Sequence, residues 1–149
     1  MAFSNTLFVI SWICFFIFAD KKKFHLYWTT CLLAMFLACT VDSLAHDFSL
    51  WDYPNPEKMH YLHHTMQQFG VYPIVVYLFL QTLPQKQNTL SVICHIFNWS
   101  ILAVVLEWLA TRTGYMEYQN WWNLGWSYLC DWILYLIFYF HHKWREKHV

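Results

Sequence analysis

Charge is the scarcest property of this sequence. Only 12% of its 149 residues are charged, whereas 58% are hydrophobic and 22% are aromatic. A water-soluble domain carries roughly 25% charged residues, so about half of the usual solubilising surface is missing. The net charge is zero, and no basic patch extends beyond short clusters beside apolar runs, which excludes a nucleic-acid surface. The length allows one compact domain, 1–149.

Catalytic and cofactor motifs are also missing. The chain has three glycines, no G-x-S-x-G motif and no phosphate-binding glycine loop, which excludes a nucleotide partner. Its five cysteines lie in apolar stretches and form no C-x-x-C pair. An odd number of such cysteines argues against a disulfide framework or a zinc knuckle, so they are interpreted as small hydrophobic side chains. No cofactor is predicted.

Long apolar runs take the place of these features. A bilayer core about 30 Å thick needs ~20 apolar helical residues, and four runs meet this need: 3–19, 26–45, 90–111 and 124–141. A weaker run at 65–83 is interrupted by Gln67, Gln68 and Pro73. Because backbone polar groups in lipid must pair internally, the spans should be helices. The sequence therefore predicts an all-α integral membrane bundle of about five transmembrane helices.

The basic residues predict the orientation of this bundle. With five spans, one side carries seven of them and the other side carries two, Lys58 and Arg112. The seven are Lys21, Lys22, Lys23, Lys86, Lys143, Arg145 and Lys147. By the positive-inside rule, the N-terminus is outside and the C-terminus is cytoplasmic. The first span precedes its basic cluster, which favours a retained anchor over a signal peptide. We expect a multi-pass protein of the cell membrane.

The two outer connections carry local signals of their own. Asn55, Pro56 and Glu57 form a strong helix start, which predicts that the third helix begins there, outside the bilayer. Pro73 is expected to kink that helix. The second outer connection, 111–123, is rich in tyrosine and tryptophan and is interpreted as an interfacial shelf.

Ionisable side chains within spans are costly, which makes each one a candidate functional residue. In the outer half of the predicted bundle these are Asp42, Glu107 and Asp131, from three different helices. Asp42 and Glu107 each share a helix face with small residues, a pattern typical of helix–helix interfaces. Asp131 shares a flank with Tyr128 and Tyr135. We predict that these five side chains form one polar site inside the bundle.

Two interpretations of these carboxylates stay open. They could bridge helices by accepting hydrogen bonds from tyrosine or tryptophan, or by pairing with Arg112. They could instead form a proton or cation site, because carboxylates brought together in a low dielectric exchange protons. His95 and Asn98 point away from Glu107 around the fourth helix, so a relay between them is not expected.

Histidines form a second group in the first outer connection. His60 and His64 have the i, i+4 spacing of two ligands on one metal, and Asp42 and His46 repeat that spacing on the second helix. The metal candidates are therefore His46, His60 and His64. No established metal motif is present, and a solvated interfacial surface is the favoured interpretation.

Several of these residues also carry a resemblance. The sequence has Leu106-Glu107-Trp108-Leu109, Gly114, Tyr118, Trp121 or Trp122, and Ser127-Tyr128, with Val41-Asp42-Ser43 ending the second span. Over residues 30–140 this pattern resembles a family of small five-span membrane proteins of unknown function from Gram-positive spore-forming bacteria. The resemblance implies the same topology and a role for Asp42 and Glu107, without implying an activity.

Three functions follow from the sequence. The favoured one is a structural or accessory membrane component without catalysis, whose partners are the lipid bilayer, other membrane proteins or a second copy of the chain. The second is a proton or cation conductor or carrier built on Asp42, Glu107 and Asp131. The third is a metal-dependent or acid–base enzyme that acts on a lipid-like substrate at the outer face. The sequence favours the non-enzymatic hypotheses.

Overall fold

A computed structural model describes residues 2–54 and 65–148. In this part of the chain the protein is mostly helical, with five α-helices. They are α1 (Ala2–Phe18), α2 (Phe24–Asp47), α3 (Tyr72–Gln81), α4 (Thr89–Arg112) and α5 (Leu124–Glu146). The prediction of a helical protein is confirmed, and each helix lies within one of the five predicted segments or extends a few residues beyond it.

Side-chain caps fix where two of the long helices begin. Asn88 precedes α4 in an extended conformation, and its Oδ1 accepts a hydrogen bond from the backbone N–H of Ser91 (2.8 Å). Asn123 does the same for α5, where its Oδ1 accepts from the N–H of Gly125 (2.9 Å). Both caps satisfy backbone donors that the first turn of a helix leaves without a partner.

Among the described residues, two helical stretches are long and apolar enough to cross a membrane. They are 21–47, which joins the 3₁₀ turn Lys21–Lys23 to α2, and α4. In the most apolar 18-residue segment of each stretch, only 17% of the segment is buried inside the protein. The side chains that remain exposed are large and apolar, as at Phe36 (66%) and Leu90 (71%). Exposed apolar surface of this extent is typical of contact with lipid and supports a membrane location.

The helices run alternately up and down between two ends. Gln81 Nε2 donates to the carbonyl oxygen of Phe18 (2.8 Å), which places the end of α3 beside the end of α1. Thr30 Oγ1 is hydrogen-bonded to His141 Nδ1 (2.9 Å), which places the start of α2 beside the end of α5. We call this end, formed by residues 20–23, 82–88 and 143–148, the lysine end.

The opposite end is closed by a short β pairing that the sequence did not predict. Strands β1 (Trp51–Asp52) and β2 (Glu117–Tyr118) are antiparallel, with Trp51 opposite Tyr118. Asn120 Nδ2 adds a hydrogen bond to the carbonyl oxygen of Ser49 (2.8 Å). Two-residue strands have no hydrophobic period to detect, so an all-α expectation misses them. We call this end the bridge end, after β1 and β2.

The third helical segment is irregular just before Pro73. Residues Gln67–Val71 form a π-helical turn, and the backbone N–H of Tyr72 donates to the carbonyl oxygen of Gln67. Pro73 lies in the first turn of α3. Proline lacks an N–H and its ring crowds the preceding turn, which explains why the helix widens here. The predicted kink is thus a π turn, and the predicted helix start at Asn55 lies outside the described residues.

A cluster of buried side chains lies towards the lysine end. Phe79 is fully buried, and its ring lies 4.7 Å from that of Tyr135 and 5.0 Å from that of His95, between centroids. His95 Nε2 also contacts the carbonyl oxygen of Phe79 (3.0 Å), so this histidine packs against the buried residues around Phe79. We call the following buried residues the packed core: Tyr27, Cys31, Ala34, Val76, Tyr77, Phe79, Leu80, Val92, Ile96, Tyr135 and Phe138.

Candidate functional site: an acidic chamber at the bridge end

A cavity of about 240 Å³ lies inside the bundle, next to the bridge end. We call it the chamber. Asp42 from α2, Glu107 from α4 and Asp131 from α5 all line it, together with Tyr135. Tyr128 is not among the lining residues, and its ring packs against that of Trp132 (6.4 Å between centroids). The structure thus brings together four of the five predicted site residues.

Small side chains on two helices make room for the carboxylates. Ala38 and Ala34 line the chamber one and two turns before Asp42, respectively, and Ala103 and Ala110 flank Glu107 on α4. Alanine lets helices approach closely while leaving space beside the longer acidic side chains. The small-residue faces predicted from the sequence therefore do point inward.

Asp42 is held against the π turn. Its Oδ2 accepts a hydrogen bond from Gln68 Nε2 (3.0 Å), and its Oδ1 accepts one from the Tyr53 hydroxyl (3.4 Å). Gln68 Oε1 in turn accepts from Cys39 Sγ (3.3 Å), one turn earlier on α2. Burial, with Asp42 nearby, raises the pKa of Tyr53, so its hydroxyl keeps its proton and remains a donor.

Glu107 is held by groups from the connection that follows α4 and from the start of α5. Its Oε1 accepts from Ser127 Oγ (2.6 Å) and from the Tyr118 hydroxyl (3.0 Å). Trp122 Nε1 donates to the same Ser127 oxygen (2.8 Å). Burial raises the pKa of Tyr118, and the neighbouring Glu107 raises it further, so this hydroxyl is also a donor. Both hydrogen bonds fall on one carboxylate oxygen, and Oε2 takes part in neither.

Asp131 differs from the other two carboxylates. Its Oδ2 is buried and has no hydrogen-bond partner within the part of the chain that the structure describes. Arg112, one of the partners that the sequence offered for the acids, instead lies over the ring of Trp108, with its guanidinium carbon 5.4 Å from the centroid. Asp131 is therefore the least compensated acid in the chamber wall.

Several wall residues were missed by sequence reasoning. Gln67 Nε2 donates to the Tyr115 hydroxyl (3.1 Å) and to Ser4 Oγ (3.4 Å), and so ties α1 to the wall. Tyr72 also lines the chamber, and 47% of its surface is exposed. The interruption of an apolar run by Gln67 and Gln68 was the available signal, because any polar side chain in a span needs a partner. Tyr115 lies in the connection that we interpreted as an interfacial shelf.

The donors for a metal are not gathered in the described residues. Within 2–54 and 65–148, no group of three or more His, Cys, Asp or Glu side chains is arranged to hold a metal ion. His46 is exposed near the end of α2. His60 and His64 lie outside the described residues, so the metal-site hypothesis stays a prediction.

No family model, curated protein or solved structure matches this chain. The resemblance to small five-span membrane proteins therefore stays a prediction, and the interpretation of the site depends on its own geometry.

Proposed function

We propose that this chain is a multi-pass protein of the cell membrane that captures a small cation in the chamber from the outer side. In this proposal all five helices cross the bilayer, with the N-terminus outside and the C-terminus in the cytoplasm. Two helical stretches of membrane length support it. The seven basic residues that collect at the lysine end also support it, because such residues favour the cytoplasmic face.

The convergence of three acids on one cavity carries the proposal. Asp42, Glu107 and Asp131 come from three helices, yet all line the chamber. Acidic side chains are rare and costly inside a bilayer, and they are retained where they serve a ligand or ion path. A cation entering the chamber would gain strong attraction because the apolar surroundings screen charge weakly.

The shape of the interior favours capture over an open pore. Tyr135 and Phe138 belong both to the chamber wall and to the packed core. Beyond them, the rings of Tyr27 and Tyr77 meet at 5.1 Å between centroids, edge to face. Close aromatic packing therefore separates the chamber from the lysine end. A bound cation would stay in the chamber unless the helices rearranged, as in a carrier.

A second candidate is the structural role that the sequence favoured. The hydrogen bonds on Asp42 and Glu107 support it, because each acid joins its helix to another segment. This role explains two of the three acids. It gives no account of Asp131, whose Oδ2 accepts no hydrogen bond within the described residues.

Carbodiimide labelling tests the proposal. A lipid-soluble carbodiimide modifies carboxyl groups in apolar surroundings, and mass spectrometry of the protein in nanodiscs would locate the modified residues. We expect labelling at Asp131 that slows in the presence of Na⁺, K⁺ or an organic ammonium ion. Asp47, an exposed acid at the end of α2, is the control; labelled in parallel with a water-soluble carbodiimide, it should show no protection by these cations.

Two results separate the candidate functions. Protection at Asp131 by any of these cations, without protection at Asp47, would support capture. An equal labelling rate with every cation would overturn it. Glu107→Gln would then test the structural role, which predicts lower thermal stability with no other measurable loss.

A further inference from the structure

The chamber wall carries information about the kind of cation that would fit. Most of its lining is apolar, including Leu7, Val41, Val75, Leu102 and Leu134. A hydrated inorganic ion loses its water shell on entering such a wall and regains little from hydrocarbon. An apolar group of a ligand, in contrast, is favoured there.

The arrangement of the acids also favours an organic cation over a metal ion. Metal ions such as Ca²⁺ are held by six to eight oxygen ligands at about 2.3–2.6 Å. The three carboxylates line one chamber but form no metal-holding group among the described residues. Asp42 and Glu107 also already accept hydrogen bonds from Gln68 and Ser127. A single charged group could thus be matched by Asp131, with no need for all three acids to converge on it.

Size and aromatic surface complete the argument. A volume of about 240 Å³ lies far above the ~10–15 Å³ that one water needs, and just below the ~300 Å³ at which drug-sized pockets begin. Tyr72 and Tyr135 line the same chamber as Asp131, and aromatic faces attract organic ammonium groups. The volume and apolar lining of the chamber therefore fit a small molecule with an apolar body.

From this combination we infer that the chamber binds a small organic ammonium ion, with its charged nitrogen at Asp131 and its hydrocarbon part against the apolar wall. The inference rests on the proposed capture of a cation and adds the chemical class of that cation. It assigns a role to Asp131, whose Oδ2 has no hydrogen-bond partner in the described chain, and to the apolar volume of the chamber.

A matched pair of probes tests the inference. Phenethylammonium and 2-phenylethanol share a phenethyl body and differ in whether the end group is charged. Calorimetric titration into the protein in nanodiscs, corrected with empty nanodiscs, measures both affinities. We expect saturable binding of the ammonium at least about tenfold tighter than that of the alcohol, a difference of ~1.4 kcal/mol. Asp131→Asn should abolish the difference, whereas the control Asp47→Asn should retain it.

The possible outcomes distinguish failure of this inference from failure of the proposed cation capture. If Na⁺ or K⁺ protects Asp131 from labelling but phenethylammonium neither protects nor binds, the inference is wrong and cation capture stands. If none of these cations protects or binds, both are wrong. Equal affinity for the ammonium and the alcohol, or an unchanged preference in Asp131→Asn, would also overturn the inference.

Discussion

The two ends of the bundle are built from the same helices but are filled differently. Towards the lysine end, the helices contribute large rings such as Tyr77 and Phe79, which are almost completely buried. Towards the bridge end, α2 and α4 carry alanines such as Ala38 and Ala103, and a cavity of about 240 Å³ remains between them. One half is close-packed and apolar, and the other is hollow and acidic.

The two halves therefore have different roles: one holds the helices together, and the other maintains an acidic cavity. Close packing at the lysine end holds the helices in register through aromatic contacts and dispersion forces. That rigidity lets the other half keep a cavity and buried acids, both of which are unfavourable on their own. Asp42 and Glu107 are then held by neighbouring side chains, whereas Asp131 keeps one oxygen without a partner in the described chain.

Truncating a side chain in the packed core should have the largest effect on stability. Leu80 is only 2% exposed, and Leu80→Ala should lower the free energy of unfolding by about 3–5 kcal/mol, as seen for buried leucines. Leu106→Ala is the matched change at the chamber wall, where space already exists, and should cost about 2 kcal/mol. Reversible unfolding in detergent would measure both losses. Equal losses would contradict a difference in packing between the two halves.

Removing the hydrogen bond at Glu107 should have an intermediate effect. Ser127→Ala deletes a donor to a carboxylate and leaves Trp122 Nε1 without its acceptor, so we expect a loss of about 1.5–3 kcal/mol. A double-mutant cycle with Glu107→Gln would isolate the energy of the pair. Asp131→Asn is the control, because its Oδ2 has no hydrogen bond to lose among the described residues. A comparable loss in that control would show that Asp131 is structural.

Acidification should have the smallest effect on stability and act through His142, which adjoins the lysine end. Burial lowers the pKa of His142, just beyond the last predicted span, below its ordinary value of 6.5. The unfolded chain therefore binds a proton that the folded chain excludes. Its contribution to stability is complete above about pH 6.5 and is lost as the pH falls through the folded pKa.

Melting temperatures measured from about pH 7.5 to about pH 5.5 would test this dependence. Parent protein should lose stability on acidification, and His142→Gln should lose less, because glutamine does not titrate. Glu146, whose carboxylate lies 3.4 Å from His142 Nε2, is retained in both proteins. Identical slopes for the two proteins would show that His142 does not contribute.

Much of the fold could be predicted from local patterns. Apolar runs bounded by polar or charged residues predicted the positions of the five helices in the described residues, because helices in an apolar phase depend on contacts close in sequence. Small residues beside Asp42 and Glu107 predicted which faces point inward. The π turn before Pro73 was expected only as a kink, since a proline indicates an interruption without specifying its form.

Parts of the candidate site could not be predicted in this way. The chamber wall includes Gln68, Tyr115 and Ser127, which belong to three different segments. Their contacts depend on how the helices and the short strands pack together, and no periodicity in the sequence encodes that arrangement. Tyr128 illustrates the limit, because it shares a flank with Asp131 on the sequence but packs against Trp132.

By itself, the sequence determined that the chain is helical and poor in solubilising charge, with three acids near one end of three helices. Composition and spacing are enough for these conclusions, because they express the solvent preference of each segment. Only the tertiary structure decided that the three acids line one chamber and that the opposite half is packed. Cavities and hydrogen-bond partners arise between segments that are far apart in sequence, so they exist only once the helices are assembled.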